Sequence, residues 1–496
     1  MFDYSDYSSD ENDEIGPEER AERHQENVES LMNMREKVDW KSAEDRRKFI
    51  GSLSFFLSYW RGPIPNLRDI FKPEEIECLL SDAVNYRNGD GYNYAGNLLI
   101  HFVTRSGYKN ELKVDKNGEP LVRHTTAVHQ AAKRRSNDWV SVVWELFKIY
   151  SSCEANYTDE SGLTHFHVAC MSGVNYMVEK FLELGQDPNC IVRETGDSPL
   201  HLALGSNARV RETIELLLEN GGDPNLANED GSTPLHIICK REKYFDDGLT
   251  EFFFKINKEV NQLVQVDAKD KLGRTPLQWA VANLSLHTVN VLLANGADLS
   301  NFVFPTEDYL AKDAKRCDLR NNMSLNFQLT IAAGSLIIVK RLEKSGYELD
   351  EEGALTIMKI FAKYGLFKKS SDPNNFLYDE DVVTVAKQHM IKSSLLSLYD
   401  FIQLRPEEAA KICTYSDYLD FASSSVWRNL PKEASEAYAV HLCEITSKGF
   451  FRRWALHPLM ELTGHQLPIL CCEIIMKKLT NEDLWRICLT AANQSS

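Results

Sequence analysis

The sequence predicts an all-α protein with a solenoid of stacked helix pairs at its centre. Three observations predict this. A short signal recurs four times, as Thr164-His165-Phe166-His167, Ser198-Pro199-Leu200-His201, Thr233-Pro234-Leu235-His236 and Thr275-Pro276-Leu277-Gln278, each two residues after a glycine (Gly162, Gly196, Gly231, Gly273). Apolar residues follow at helical spacing, as in Leu200, Leu202 and Ala203 and then Ile214, Leu217 and Leu218. Strand-like alternation is almost absent outside the connectors between repeats.

Each element of the signal has a physical reason. A Ser or Thr ahead of a helix accepts a hydrogen bond from a free backbone N–H. Proline suits the first helical position, where its missing donor costs nothing. The glycine two residues earlier permits the positive φ of a tight turn. Gly222 is expected to end a second helix, with Asp223-Pro224-Asn225 opening an exposed connector. One such unit cannot bury its own apolar face, but stacked units share a continuous core.

The segments follow in order. Residues 1–30 hold eleven acidic residues against Arg20 and Arg23, so this tail is expected to stay unordered. Residues 31–120 have helical periodicity, with Pro73-Glu74-Glu75 as a helix start, and are expected to cap the solenoid. Residues 121–300 form the repeats. Thr164 to Asn189 and Thr275 to Ser300 are both 25 residues, whereas Ser198 to Asn225 is 27 and Thr233 to Asp267 is 34. The longest unit is enlarged by the stretch 243–256, which is expected either to add to a binding face or to be an idle loop or extra core filled by Phe252, Phe253 and Phe254. A weaker copy, Thr126-Ala127-Val128-His129, precedes these, and a decayed unit is expected to reach residue 350. Residues 351–455 continue the helical rhythm without the signal, and 456–496 form a separate pair of helices.

These signals and spacings resemble the ankyrin repeat, a unit of about 33 residues whose signature is T-P-L-H-x-A. The resemblance covers residues 121–300 and implies protein binding without catalysis. The net charge of −17 argues against nucleic acid, whose binding rests on Lys and Arg. No stretch reaches the roughly 18 apolar residues needed to span a membrane, and the first residues carry no secretory pattern. The eleven scattered cysteines suit a reducing compartment, so the expected location is the cytoplasm or the nucleus.

The last segment carries a second signal. Leu467-Pro468 opens a helix start, with Pro468 at its first position, and Ile469, Cys472, Ile475 or Met476 and Leu479 form one apolar stripe. Thr480 and Asp483 make a capping pair for a second helix, continued by Leu484, Ile487 and Cys488. This pattern resembles the core of an F-box. Ankyrin repeats followed by such helices resemble the PRANC-type ankyrin proteins of poxviruses, intracellular bacteria and parasitoid wasps. The stretch 115–133 also looks like the lead-in to the array in insect members. The resemblance implies that Leu467, Pro468, Ile469, Cys472, Ile475, Leu479 and Leu484 dock an Skp-type adaptor of a cullin ubiquitin ligase, while the array holds a target for ubiquitin transfer.

The candidate target-binding residues are the connector tips: Arg193, Glu194 and Thr195; Asn228, Glu229 and Asp230; Lys269, Asp270 and Lys271. No Walker loop, H-E-x-x-H or G-x-S-x-G is present, so no catalytic residues, metal or cofactor are expected. His129, His167, His201 and His236 recur once per repeat, too far apart for shared metal ligation and suited instead to bonding within and between the repeat turns. The expected partners are thus a target protein and the adaptor, with a monomer outside complexes. The alternative is an ankyrin scaffold or IκB-like inhibitor that sequesters a factor without recruiting a ligase.

Overall fold

A computed structural model describes residues 17–60, 63–87, 93–112, 121–208, 210–241, 248–306, 324–367, 373–392, 396–422, 424 and 426–495. The chain forms two compact units, Met1–Pro234 with Ile256–Leu263, and Leu235–Lys255 with Val264–Ser496. Among the described residues the regular elements are helices and one antiparallel ribbon, Met390–Lys392 with Leu396–Ser397, joined by turns and connectors.

In the first unit, helix pairs Ala127–Arg134/Trp139–Ile149, His165–Ser172/Asn175–Glu183 and Pro199–Leu204/Arg211–Glu219 match the expected repeats. First helices pack on first helices along the stack. Their joining is carried by the histidine of the signal. His167 Nδ1 accepts the Thr164 N–H (3.2 Å), closing the helix cap, and its Nε2–H donates to Cys190 O of the next connector (3.1 Å). His201 does the same between Ser198 N–H (3.2 Å) and Ser232 O (2.8 Å). His129 bridges Thr126 N–H (3.1 Å) and Tyr157 O (3.2 Å). A nitrogen that accepts an amide N–H carries no proton, so each ring is neutral and protonated at Nε2.

The residues ahead of the repeats hold a unit the signal does not announce. Helices Pro73–Asn85 and Tyr94–Arg105 pack on helices 127–134 and 139–149 as a further pair in the stack. Glu75 takes the histidine's place: its Oε2 accepts the Lys72 N–H at 3.0 Å. Arg35 grips the same carboxylate through two bonds (3.0 and 2.8 Å), tying the first helix to this pair. That first helix runs Pro17–Glu36, so helix begins inside the segment expected to stay unordered. Pro17 at its first position, with Glu18 and Glu19 behind it, is a good start, and Leu31 is fully buried as an anchor. Residues 1–16 lie outside the described residues, as do 242–247 at the start of the enlarged stretch and the first part, 115–120, of the lead-in.

In the second unit, helices Pro276–Ala282 and Leu286–Ala294 form the last clear repeat. His236 Nε2 donates to Arg274 O at 3.0 Å. Gln278 reproduces the imidazole bridge with an amide: Oε1 accepts the Thr275 N–H (2.9 Å) and Nε2 donates to Val303 O (3.0 Å). Phe253 is fully buried, so the enlarged unit does use this ring as core.

The decayed unit expected to end at residue 350 is not a helix pair. One continuous helix, Ser324–Lys344, occupies it. It ends as a repeat does, with Gly346 at φ 98 matching Gly296 at φ 88. Twelve residues before such glycines the repeats turn, at Gly173 (φ 70) ahead of Gly185 (φ 80) and at Leu284 (φ 54) ahead of Gly296, but Gly334 ahead of Gly346 stays helical and the bend is lost. Helix Lys432–Leu462 is the hub of the remaining residues, packing against 324–344, Pro406–Ile412, Ile469–Lys478 and Asn481–Ser495.

The internal comparison of histidine with glutamine yields a prediction. His201→Gln keeps both bridging bonds and should change the urea midpoint of the full chain little. His201→Ala leaves the buried Ser198 N–H unpaired and takes from the Ser232 carbonyl one of its two donors, the Asn228 N–H remaining, and should lower stability by about 1–3 kcal/mol.

Candidate protein-interaction surfaces

The connector tips of the first unit are built on Asx turns. Asp159 Oδ1 accepts the Ser161 and Leu163 N–H groups (2.9 and 3.0 Å), and Asn228 Oδ1 accepts those of Asp230 and Ser232 (3.0 and 2.9 Å). Neighbouring tips are stitched by backbone: Glu194 N–H to Ser161 O (3.1 Å) and Glu229 N–H to Thr195 O (2.9 Å). Such close approach requires glycine. A Cβ on Gly162 or Gly196 would lie 2.7 Å from the next tip's backbone nitrogen, and both have φ in the left-handed region.

These contacts sort the expected tip residues. Arg193, Glu194, Thr195, Glu229 and Asp230 are exposed and turned to solvent. Arg193 also donates to Glu160 O at 2.7 Å, holding adjacent tips together. Asn228 is committed to its turn and to Asp197 Oδ1 (2.7 Å), so it shapes the surface rather than offering a side chain to a partner.

In the second unit Lys269 and Lys271 are exposed, but Asp270 is buried. Its Oδ1 accepts the Leu272 and Arg274 N–H groups (3.0 and 2.9 Å), and its Oδ2 accepts the Trp279 indole N–H (2.9 Å). Burial alone would raise its pKa; the bonds from Arg274, Trp279 and Leu272 outweigh burial and hold the carboxyl below its usual range. Asp270 is therefore a turn former, and the apolar knob at this tip is Leu272, 70% exposed, a residue the charge pattern hides. Trp279 also went unnoticed in the sequence. Lys240 Nζ lies 4.4 Å and Arg274 Cζ 5.0 Å from its ring centre, two cation–π contacts on a part-buried indole.

The C-terminal pair is helices Ile469–Lys478 and Asn481–Ser495, which meet at Leu479–Thr480, whereas the expected segment start at 456 falls inside the continuous helix Lys432–Leu462. Thr480 and Asp483 cap each other: Asp483 Oδ2 accepts the Thr480 N–H (2.9 Å) and Thr480 Oγ1 accepts the Asp483 N–H (3.2 Å). The Thr480 hydroxyl and N–H keep the Asp483 pKa lowered. The turn is anchored from below. Lys448, buried on helix 432–462, donates to Leu479 O, which ends the first helix. Lys448 also meets Glu444 Oε1 (3.1 Å), which accepts the Asn481 N–H (2.9 Å), while Asn481 Nδ2 donates to Ser447 Oγ (2.8 Å). Pro468 is the N-cap rather than the first helical residue, with ψ 147. Extended backbone is what a proline ring and the next helix start both accept there.

The expected docking stripe is split between two faces. Cys472 and Leu484 are fully buried, with Met476, and pack inward as core. Leu467 and Leu479 are half-buried, and Pro468 is exposed. Ile469 and Ile475 are exposed beside Leu470 (67%) and Ile474 (52%), which the stripe omitted. Leu470 and Ile474 are four apart on the helix, as are Cys471 and Ile475, so these side chains share an outward apolar face. The signal was the excess of apolar residues: a helix apolar all round has more face than its own core consumes.

Among the described residues, no group of three or more His, Cys, Asp and Glu is placed to hold a metal ion, and no helix is long and apolar enough to cross a membrane.

Comparison with known proteins fits this geometry. Residues 128–228 and 200–302 match the family model for ankyrin repeats, in three copies. Over 144 residues the chain is 31% identical to neurogenic locus notch homolog protein 1 of Mus musculus, covering 29% of this chain and 5% of that protein. Over 198 residues it is 26% identical to a monkeypox virus protein described as an inhibitor of apoptosis, covering 38% of this chain and 41% of the relative. Over 178 residues it is 26% identical to the B-cell lymphoma 3 protein homolog of Mus musculus, covering 29% and 39%. The chain thus spans a small part of the notch protein and about two fifths of the other two. The repeats mark the array as a protein-interaction module.

The two-faced helix has a direct chemical readout. Cys471 is exposed and Cys472 fully buried, so brief alkylation of the native chain should label Cys471 and spare Cys472 by mass spectrometry. Equal labelling would mean that the helix does not hold this orientation.

Proposed function

We propose that the chain is a non-catalytic adaptor: the ankyrin array holds a target protein, and the C-terminal helices recruit a cullin ubiquitin ligase through an Skp-type adaptor. The observation that carries this reading is the apolar face of Ile469, Leu470, Ile474 and Ile475, which the fold leaves in solvent while anchoring the helix that bears it. Exposed aliphatic side chains on a preformed helix are the chemistry of helix-in-groove recognition. The resemblance of Leu467–Leu484 to an F-box supplies the identity of the groove. The array reads its target through the exposed tip residues Arg193, Glu194, Thr195, Glu229 and Asp230, and through Lys269, Lys271 and Leu272.

A second reading has its own observation. Similarity to the B-cell lymphoma 3 protein homolog favours an IκB-like inhibitor that works through the array alone. The two readings differ in the need for the C-terminal helices.

Copurification of the full chain with an Skp-type adaptor tests the first. Leu470→Asp/Ile474→Asp places two charges on the outward face without touching core, and should abolish capture while leaving the circular dichroism spectrum unchanged. Failure of the unaltered chain to retain the adaptor defeats the proposal and leaves the inhibitor reading. Retention by the double variant shows that binding does not use this face.

A further inference from the structure

His165 occupies the first helical position of its repeat, where the other three signals have Pro199, Pro234 and Pro276. The imidazole is fully buried. Its walls are rings: His129, Tyr157, Tyr150 and Phe147, at centroid distances of 4.8, 5.2, 5.6 and 5.7 Å. Its side chain makes one hydrogen bond, from Nε2 to Thr126 Oγ1 at 2.7 Å, and its Nδ1 has no partner.

Thr126 is also the cap of helix 127–134. Its N–H and hydroxyl both meet His129 Nδ1 at 3.1 Å. The hydroxyl proton turned to His129 leaves an oxygen lone pair for the His165 Nε2–H. One threonine therefore closes its own helix and holds the first residue of the next repeat's helix, between two neutral imidazoles. We infer that the Thr126–His129–His165 contact is an acid-sensitive clasp between the first two repeats, releasing helix 127–134 from helix 165–172 on proton uptake.

The surroundings give a proton no welcome. His129 can accept one only at Nδ1, by giving up the cap. His165 can accept one only at Nδ1, where it would be an unpaired charged donor among aromatic rings, beside a second imidazole. The charged groups nearby are otherwise engaged. Asp159 pairs with Lys133 at 2.7 Å, Glu77 accepts the Tyr150 hydroxyl at 2.8 Å with His124 at 3.9 Å, and Arg134 donates to Val84 O and Tyr86 O. On the far side His167 and His201 are held in their own caps. Among the described residues no carboxylate is hydrogen-bonded to either ring of the clasp.

Burial pushes the His129 pKa down to about 4 and that of His165 well below the histidine range. The sign follows. The open form takes up protons near pH 6.5, the closed form only far lower, so the closed form is favoured in full above pH 6.5 and loses ground as pH falls below it. Each released imidazole raises the opening constant by about ten-fold per pH unit in that window.

Hydrogen exchange of the full chain, corrected for the intrinsic pH dependence of exchange, tests this between pH 6 and 5. Amides of helix 127–134 should show an opening constant that climbs steeply as pH falls. In His165→Phe the slope of its logarithm at the same amides should drop by about one proton, although the substitution lies on the other helix. His165→Asn, polar but non-titrating, serves if the phenylalanine variant does not fold. An unchanged slope in the folded variant overturns the clasp. So does a pH dependence of helix 127–134 no steeper than that of helix 211–219, which lacks histidine.

Discussion

In the first unit an imidazole with a backbone amide on Nδ1 and the next connector's carbonyl on Nε2 joins each repeat to the connector that follows. The bond to its own cap fixes where the helix begins. The bond to the following connector fixes how far away the next unit sits. The first is not available to a charged ring, whose Nδ1 carries a proton, so the caps depend on histidines that burial keeps neutral. Gln278 shows that the requirement is for an acceptor and a donor at fixed spacing rather than for imidazole itself. Glu75 meets only the accepting half, and Arg35 holds its carboxylate in place.

Much of this was legible in the sequence, because capping is local. Thr164, Ser198 and Thr275 accept the amide three residues on, as an N-cap residue does anywhere. What was not legible depended on long-range neighbours. The pair 73–105 reads as generic helix, since Lys72 and Glu75 replace the usual capping residues and only packing against 127–149 reveals its kinship. The straight helix 324–344 keeps a glycine at the turn position, and composition does not say whether a glycine bends. Asn228 and Asp270 read as partner contacts in the sequence because polar tips look alike until their acceptors are assigned to particular N–H groups.

The C-terminal helices pose the complementary problem. Helical spacing identified the residues of Ile469–Lys478 as apolar but did not separate inward from outward, because Ile, Leu, Cys and Met run round both faces. Burial separates them: Cys472 and Met476 belong to the core, and Leu470 and Ile474 to whatever meets the helix from outside. The proposed division of labour, target on the array and ligase on the last helices, rests on that outward face together with the exposed tips.

The buried Lys448 has an energetic consequence for the helix it anchors. An amphipathic segment that folds only on its partner loses chain entropy at the moment of association, and the complex is weakened accordingly. Here the turn at Leu479–Asn481 is bonded to Lys448, Glu444 and Ser447 before any partner arrives. The ordering has been done during folding, so the proposed association would be a rigid-body event. Its heat-capacity change then reports the apolar area covered rather than the formation of a helix.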